Sequence, residues 1–224
     1  MDKALQKIKE RFDRLDCASL CDASPLVRAF APGLTPIHPN KRMVGRARTI
    51  CCTNDYLTVI KALTEAQAGE VLVVDGRRQT QAVFGELLAA EAHRLGLSGA
   101  VVDGAVRDLA GMKEIDFPVY YRWTNPRAGR AEVIEPPGDV VSVCGVSVFM
   151  GDWIMGDADG IVVIPGAQAD EVLAVAEEIQ KVEEKVLASV RKGASLAQIL
   201  KFEEFRREHE RDIRSRLEYH LSER

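Results

Sequence analysis

The stretch FGELLAAEAHRLGLSGAVVDGAVRD, residues 84–108, decides the fold. Apolar residues recur at helical spacing from Phe84 to Gly96, and Gly96 is a natural stop. The run SGAVVDG that follows, residues 98–104, is short, apolar and β-branched, as a buried strand should be. A strand entering a glycine turn delivers the next residues to the carboxyl end of its sheet, where open α/β layers collect ligands. Those residues are Arg107 and Asp108.

The same alternation extends outward. Upstream, residues 43–53 read as a strand, 56–69 as an amphipathic helix stopped by Gly69, and EVLVVDG, 70–76, as a buried strand. Downstream, DLAGMKEI reads as a short helix and FPVYYRW as a further strand. The first thirty residues predict one helix and a shorter second one, broken at Ser24–Pro25. Between Ala131 and Pro165 the texture changes to short strands: AEVIEPPGD, VVSVCG, VSVFMGDW and GDADGIVVIP. Helix and strand alternation followed by a strand-rich block predicts an α/β layered sheet with helices on one side. After Gly166 the chain predicts two long helices, over 167–193 and 195–224. The second carries a stripe of Ile199, Phe202, Phe205, His209, Ile213, Leu217 and Leu221 among dense charges, which calls for a partner surface.

Composition bounds the function. The 224 residues are 46% hydrophobic and 29% charged, with a formal net charge of -4, a profile of one soluble domain plus an extension. An acidic balance offers no general attraction to a phosphate backbone, so no nucleic acid is expected as partner. No apolar run approaches a membrane span and the N-terminus lacks a signal-like apolar region, so the expectation is a cytoplasmic protein with no membrane partner. The five cysteines (Cys17, Cys21, Cys51, Cys52 and Cys144) lack zinc-site pairing and read as reduced, mostly buried thiols. No Gly-x-Gly-x-x-Gly or P-loop pattern follows a strand, which removes the main support for a nucleotide site.

Candidate site residues have two readings each. Gly85 to Leu88 open a helix, and the amides of Glu86, Leu87 and Leu88 suit a carboxylate or phosphate ligand. Glu86 is also favourable there for the helix dipole alone. Asp108 suits a helix cap as well as a ligand site. Asp152, Asp157 and Asp159 read as turn residues, as do Asp75 and Asp103, the latter with a possible outer role at the site. Arg77 and Arg78 are candidates for an acidic substrate tail or for solvated surface. The four histidines, His38, His93, His209 and His220, have no ligand-like spacing.

Taken together, Glu86, a gap of twenty residues and Arg107–Asp108 resemble the Asp-x20-Arg-Asp signature of class II pyruvate aldolases that act on 4-hydroxy-4-methyl- and 4-carboxy-4-hydroxy-2-oxo acids. That family shares its fold with the RraA regulators of ribonuclease E. The resemblance continues through LDCASLCDA, GRARTI, AGEVLVVDG, FPVY, GVSVFMGDWIMGDADGIVVIP and VEEKVLASVRKG, over residues 12 to 193. It implies a β/β/α sandwich with N-terminal helices over residues 1–193, and leaves 194–224 as a C-terminal helical extension.

The resemblance also implies roles. Asp108 would bind Mg2+ or Mn2+ directly, Glu86 would act through water, and Arg107 would contact the pyruvyl oxygen. Gly85, Glu86, Leu87 and Leu88 would hold the pyruvate carboxylate, and Glu183 or Glu184 of a neighbouring subunit would join the metal's waters. The implied reaction is retro-aldol cleavage of a 4-hydroxy-4-carboxy-2-oxo acid to pyruvate plus a second 2-oxo acid, with oxaloacetate decarboxylation through the same enolate, in a homotrimer or hexamer. The alternative is a non-catalytic RraA-like regulator that binds a protein partner such as a ribonuclease. Retention of Asp108 favours the enzyme. Two positions depart from the pattern: Glu86 stands for the usual Asp, and Gly111 stands where an acidic residue is common.

Overall fold

The structure, a computed structural model, describes residues 3–136 and 138–209. Helices α1 (Lys3–Phe12) and α2 (Cys17–Ala23) open the chain, and Asp16 caps α2 by accepting from the Ser19 N–H at 2.7 Å. Short strands β1 (Arg28–Ala29) and β2 (Thr35–Pro36) lead to β3 (Met43–Cys51). Then come α3 (Leu57–Glu65), β4 (Glu70–Asp75), β5 (Ala82–Phe84), α4 (Glu86–Arg94), β6 (Gly99–Val106), α5 (Leu109–Glu114) and β7 (Val119–Thr124). Strands β8 (Val140–Val143), β9 (Val146–Phe149), β10 (Trp153–Gly156) and β11 (Ile161–Ile164) precede α6 (Ala169–Arg191), α7 (Leu196–Ile199) and α8 (Phe202–His209).

Among the described residues, nine strands form one mixed sheet in the order β1-β11-β10-β3-β4-β6-β7-β2, with β5 pairing β6 off this path. Strands β3, β4, β6 and β7 are parallel, while β10, β11, β1 and β2 join antiparallel. Alternation along the strands assigns the two faces. Leu72, Val74, Ala100, Val102 and Val119 face helices α3, α4 and α5, and Val44, Met155, Val162 and Ile164 face α1, α2 and α6. Val71, Val73, Val101, Tyr120, Ile154 and Val163 face the other way, onto Val141, Val143 and Val148 of the β8–β9 ribbon. The molecule is therefore layered β/β/α, with helices on one side of the main sheet, as the alternation pattern requires. Strands β4 and β6 are buried on both faces, which is why they read as unbroken apolar runs.

Several expected elements take another form. Phe84 does not begin a helix. It ends β5, and Gly85 makes the transition into α4. Asp103 and Gly104 are not a turn: β6 continues through them to Val106, with an irregularity in its pairing to β7 between Val102 and Ala105. The close approach there is made by Gly76, where a Cβ would lie 3.0 Å from the Asp103 carbonyl oxygen and 3.2 Å from the Gly104 Cα. The expected strand over 131–139 is irregular backbone at 131–136 and 138–139, where the Asp55 and Thr58 side chains accept the N–H groups of Glu132, Val133 and Glu135. Trp153–Gly156 is a strand of its own, separate from β9. The second C-terminal helix breaks after Ile199, where Lys201 takes a left-handed φ of 47°. Of its expected stripe, Ile213, Leu217 and Leu221 lie outside the described residues, as does His220. No described helix is long and apolar enough to cross a membrane.

Candidate active site

Strand β4 pairs with β6 only as far as Asp75–Asp103. The chain then loops through residues 76–81 and returns as β5, which takes up the pairing at Ala82–Ala105 and Phe84–Val106 in the same direction. That step carries the start of α4 alongside the end of β6. Arg107 N–H donates to the Phe84 carbonyl at 3.1 Å, fixing the two segments together. On the far side of β5, Ala82 N–H donates to the Arg127 carbonyl and Gly129 N–H to the Ala82 carbonyl, each at 2.8 Å. A cavity of about 250 Å3 opens between these segments and α3, lined by Tyr56, Ile60, Ala82, Val83, Phe84, Gly85, Leu87, Leu88, Arg107, Asp108 and Ala128.

Arg107 and Asp108 supply its charge. Arg107 Nε lies 3.3 Å from Asp108 Oδ2, and both side chains are 42% exposed. Asp108 occupies the N-cap position of α5, yet its side chain makes no capping hydrogen bond. Its backbone is left-handed, at φ 60° and ψ 39°, a conformation costly for most L-residues and best tolerated by Asn and Asp. A residue held in that region with an unspent carboxylate at a cavity mouth is the pattern of a functional position.

Gly85 makes the arrangement possible. A Cβ there would sit 2.8 Å from Asp108 Oδ2 and 3.1 Å from Arg107 Cγ. The same glycine leaves the first turn of α4 with no side-chain cap, so its amides keep their donor capacity and dipole at the cavity. Leu88 is half-buried and packs on the core, whereas Leu87 is 80% exposed at the mouth.

The carboxylate of Glu86 points elsewhere. It lies over Gly111 of α5, so closely that a Cβ on Gly111 would meet its Cδ and Oε2 at 2.2 Å. Glu86 is therefore not among the lining residues, and the bare glycine of α5 is what admits its longer side chain. Glu183 and Glu184 sit on α6. Burial and the neighbouring charges of Asp16 and Asp22 push the Glu183 carboxyl up, and Glu184 accepts from Gln180 Nε2 at 3.2 Å. Their helix packs on α2 and α1, and neither residue lines this cavity.

Other candidates are placed apart. Asp103 is buried against the Arg122 guanidinium and accepts from Cys144 N–H at 2.7 Å, tying β6 to the β8–β9 ribbon. It is a structural strut, correcting the expected turn. Asp75, Asp152 and Asp157 accept backbone N–H groups from Arg77, Phe149 and Cys17, as turn and loop anchors do. Arg77 turns toward Cys51, its Nε 2.8 Å from Sγ, in a separate cleft with Asp75 and Glu135. His38 Nε2 lies 2.9 Å from the Ile115 carbonyl, and His93 packs edge-on to Phe117. All five cysteines are free, and burial is the leading cause that pushes each thiol up, away from a reactive thiolate.

The walls supplied by Tyr56, Ile60, Ala82, Val83 and Ala128 had no sequence signal. They come from three other segments, brought together by paired backbone at Ala82–Ala128 and Asp55–Arg130.

Fold and site define a β/β/α layered protein that presents an Arg–Asp pair beside an uncapped helix start at a small, mainly apolar cavity. The chain belongs to the RraA-like family, described as Aldolase/RraA, which matches residues 17–163. It is 36% identical over 172 residues to a Halalkalibacterium halodurans protein provisionally named as a 4-hydroxy-4-methyl-2-oxoglutarate aldolase, covering 76% of this chain and 82% of that one. Among solved structures it resembles the RNA-processing inhibitor RraA from Thermus thermophilis, with a TM-score of 0.64 and 31% identity over 67% of this chain and 92% of that one. It also resembles Streptomyces coelicolor RraAS2, described as an unusual member of the RNase ES inhibitor RraA family, with a TM-score of 0.70 and 28% identity over 82% and 96% of the chains.

Proposed function

We propose that the protein is a divalent-metal-dependent lyase that cleaves a 4-hydroxy-4-carboxy-2-oxo acid to pyruvate and a second 2-oxo acid, and that it decarboxylates oxaloacetate through the same enolate. The observation that carries this reading is Asp108, a strained residue at the cavity whose carboxylate is released from capping α5 and, among the described residues, pairs with Arg107 alone.

The donors fit a hard cation. Among the described residues no group of three or more His, Cys, Asp or Glu side chains could hold a metal; the site offers the carboxylate of Asp108, and that of Glu86 lies outside the lining, over Gly111. Magnesium and manganese suit such oxygen-poor sites, because magnesium commonly takes one or two protein carboxylates and completes its shell with water and substrate. When bound, the cation supplies Lewis acidity to the keto oxygen of a 2-oxo acid. Asp108 would hold it, with Glu86 ordering water between α4 and α5.

The chain's own groups account for the remaining work. The α4 amides at Glu86, Leu87 and Leu88 receive the substrate carboxylate. Arg107 lies beside them and stabilises the oxygen on which negative charge grows as the bond beyond C3 breaks. Tyr56 and the apolar walls exclude water from the enolate.

The test is pyruvate release from oxaloacetate and from a 4-hydroxy-4-carboxy-2-oxo acid, with magnesium and with EDTA, in wild type and Asp108→Ala. Activity that requires both the metal and Asp108 is the expected result. Release equal to the metal-only background in both would sink it, and would favour the regulator reading that the likeness to RraA proteins supports.

A further inference from the structure

We propose that the protein carries an accessory binding site for a small organic monocarboxylate on the helical face of the main sheet, at the row formed by Trp153, Arg46 and Glu70. The three residues are level on adjacent strands: Trp153 pairs with Arg46 across β10 and β3, and Arg46 with Glu70 across β3 and β4. Residues paired in this way share a face. Trp153 fixes it as the helical one by packing on Phe12 of α1, with ring centroids 5.0 Å apart. A cavity of about 480 Å3 opens over the row, between Leu5 of α1 and the turn that leads from α3 into β4. It lies at the other end of the parallel strands from Asp108. Val71 at the start of β4 pairs with Gly99, and the eight residues of β6 that follow span roughly 25 Å before Arg107. The site is independent of the proposed function.

Two donors converge there. Arg46 is a positioned cation: its guanidinium carbon lies 5.6 Å from the centroid of the Trp153 ring, and its Nη2 sits where a Cβ on Gly151 or Gly166 would come within 2.9 and 3.1 Å. The neighbouring carboxylate is committed elsewhere, because Glu70 accepts from Arg48 Nε at 2.6 Å, from Arg48 Nη2 at 3.2 Å and from the Gln67 N–H at 2.8 Å. Among the described residues Arg46 therefore has no carboxylate partner, and its planar fork is set for an oxyanion. Trp153 supplies the second donor. It lines the cavity, is 1% exposed, and its Nε1–H is buried with no acceptor among the described residues. A buried donor without an acceptor is costly, and an oxyanion on Arg46, beside the same ring, meets it.

Charge and shape select the ligand. With Glu70 offset by Arg48, the described lining keeps one net positive charge, that of Arg46. A monoanion matches it, whereas a phosphate dianion faces the Glu70 carboxylate with one cation too few. Leu5 and the indole give the carbon body an apolar wall, and the volume falls within the roughly 300–1,000 Å3 usual for small-molecule sites.

The experiment follows the indole N–H resonances of 15N-labelled full-length protein while benzoate, butyrate or inorganic phosphate is added. The chain has two tryptophans, and Trp123 Nε1 already donates to the Gln79 carbonyl at 3.2 Å, so it serves as the internal reference and Trp123→Phe assigns the signals. We expect the Trp153 signal to move downfield and saturate with benzoate, at a dissociation constant of roughly 0.1–1 mM, while Trp123 stays in place. Arg46→Gln should weaken binding at least about tenfold, and Arg46→Lys, which keeps the charge and loses the fork, by a smaller factor. Melting temperatures check that each variant folds, and the Lys variant carries the test if the Gln variant does not. A Trp153 signal that stays still, as it will if a carboxylate of a second copy already covers Arg46, overturns the inference. So does a shift that is equal in Arg46→Gln. Phosphate that binds as tightly as benzoate overturns the assignment to a monocarboxylate.

Discussion

Gly85 and Asp108 are fitted to each other: the space a methyl group would fill at position 85 is occupied, at 2.8 Å, by Asp108 Oδ2. Gly85 adopts an extended φ of -166°, so alanine meets no backbone strain there, and the obstacle is the end of a mobile side chain. Gly85→Ala should therefore cost little stability, within about 1 kcal/mol, because the carboxylate can swing away. Its cost should fall on function. We expect pyruvate release to drop at least about tenfold, since small displacements of positioned groups carry large rate penalties. Thermal melting beside steady-state kinetics checks this, and an unchanged kcat/KM would refute the fit.

Asp108 sets function against stability. Its φ of 60° favours glycine, and its exposed pair with Arg107 adds little to folding. Asp108→Gly should leave stability equal or raise it by up to about 1 kcal/mol, while abolishing metal-dependent turnover. Asp108→Asn should match wild type in melting temperature and share the loss of activity. A Gly variant that melts clearly lower would show that the carboxylate has a structural task.

Much of this site was legible in the sequence because its charged part lies on one local segment. A helix start, a buried strand and the residues just past it can be read from periodicity between Phe84 and Asp108. The cavity cannot. Its other walls, at Tyr56, Ile60 and Ala128, are distant in the chain and are joined by main-chain pairing that leaves no residue signal. Short strands were hidden for a related reason. Ala82–Phe84 is three apolar residues, too few to distinguish a strand from the first turn of the following helix. The reading of Asp103 failed because Asp-Gly usually marks a turn, and here a half-buried Arg122 offsets the charge inside a strand. The long C-terminal stripe had the right local period, yet the backbone turns at Lys201.

Glu86 and Gly111 should behave as a unit. A Cβ on Gly111 would lie 2.2 Å from the Glu86 carboxylate, so Gly111→Ala must displace that side chain. The helix itself prefers alanine by about 1 kcal/mol, which offsets part of the clash. We expect Gly111→Ala to lower turnover in the wild-type background and to be nearly neutral in Glu86→Ala. A double-mutant cycle reads the coupling, expected at about 1 kcal/mol or more in ΔΔG‡. Additive effects would mean that the carboxylate has another place to go.

Asp55 fixes the cavity wall and gives it a pH dependence. Its carboxylate accepts from the N–H groups of Leu57 at 2.9 Å, Glu132 at 2.8 Å and Val133 at 2.9 Å, joining the start of α3 to the loop after Ala128. Burial alone would push this carboxyl up, and the three backbone donors, with Arg130, outweigh it and hold it below the ordinary carboxylate range. A lowered folded-state value means that the ionised form stabilises the fold. That contribution is complete above the unfolded value of about 3.9 and is lost as pH falls through the folded one. Asp55→Asn turns an amide toward three donors and should cost about 1–3 kcal/mol at pH 7. The gap to wild type should narrow steadily below about pH 4, where the unfolded chain takes up a proton that the native carboxylate, held lower, does not accept until the pH falls further. Denaturant titrations of both proteins between pH 7 and pH 3 measure it directly. A gap that stayed constant across that range would show that the loop is held by contacts other than this charge.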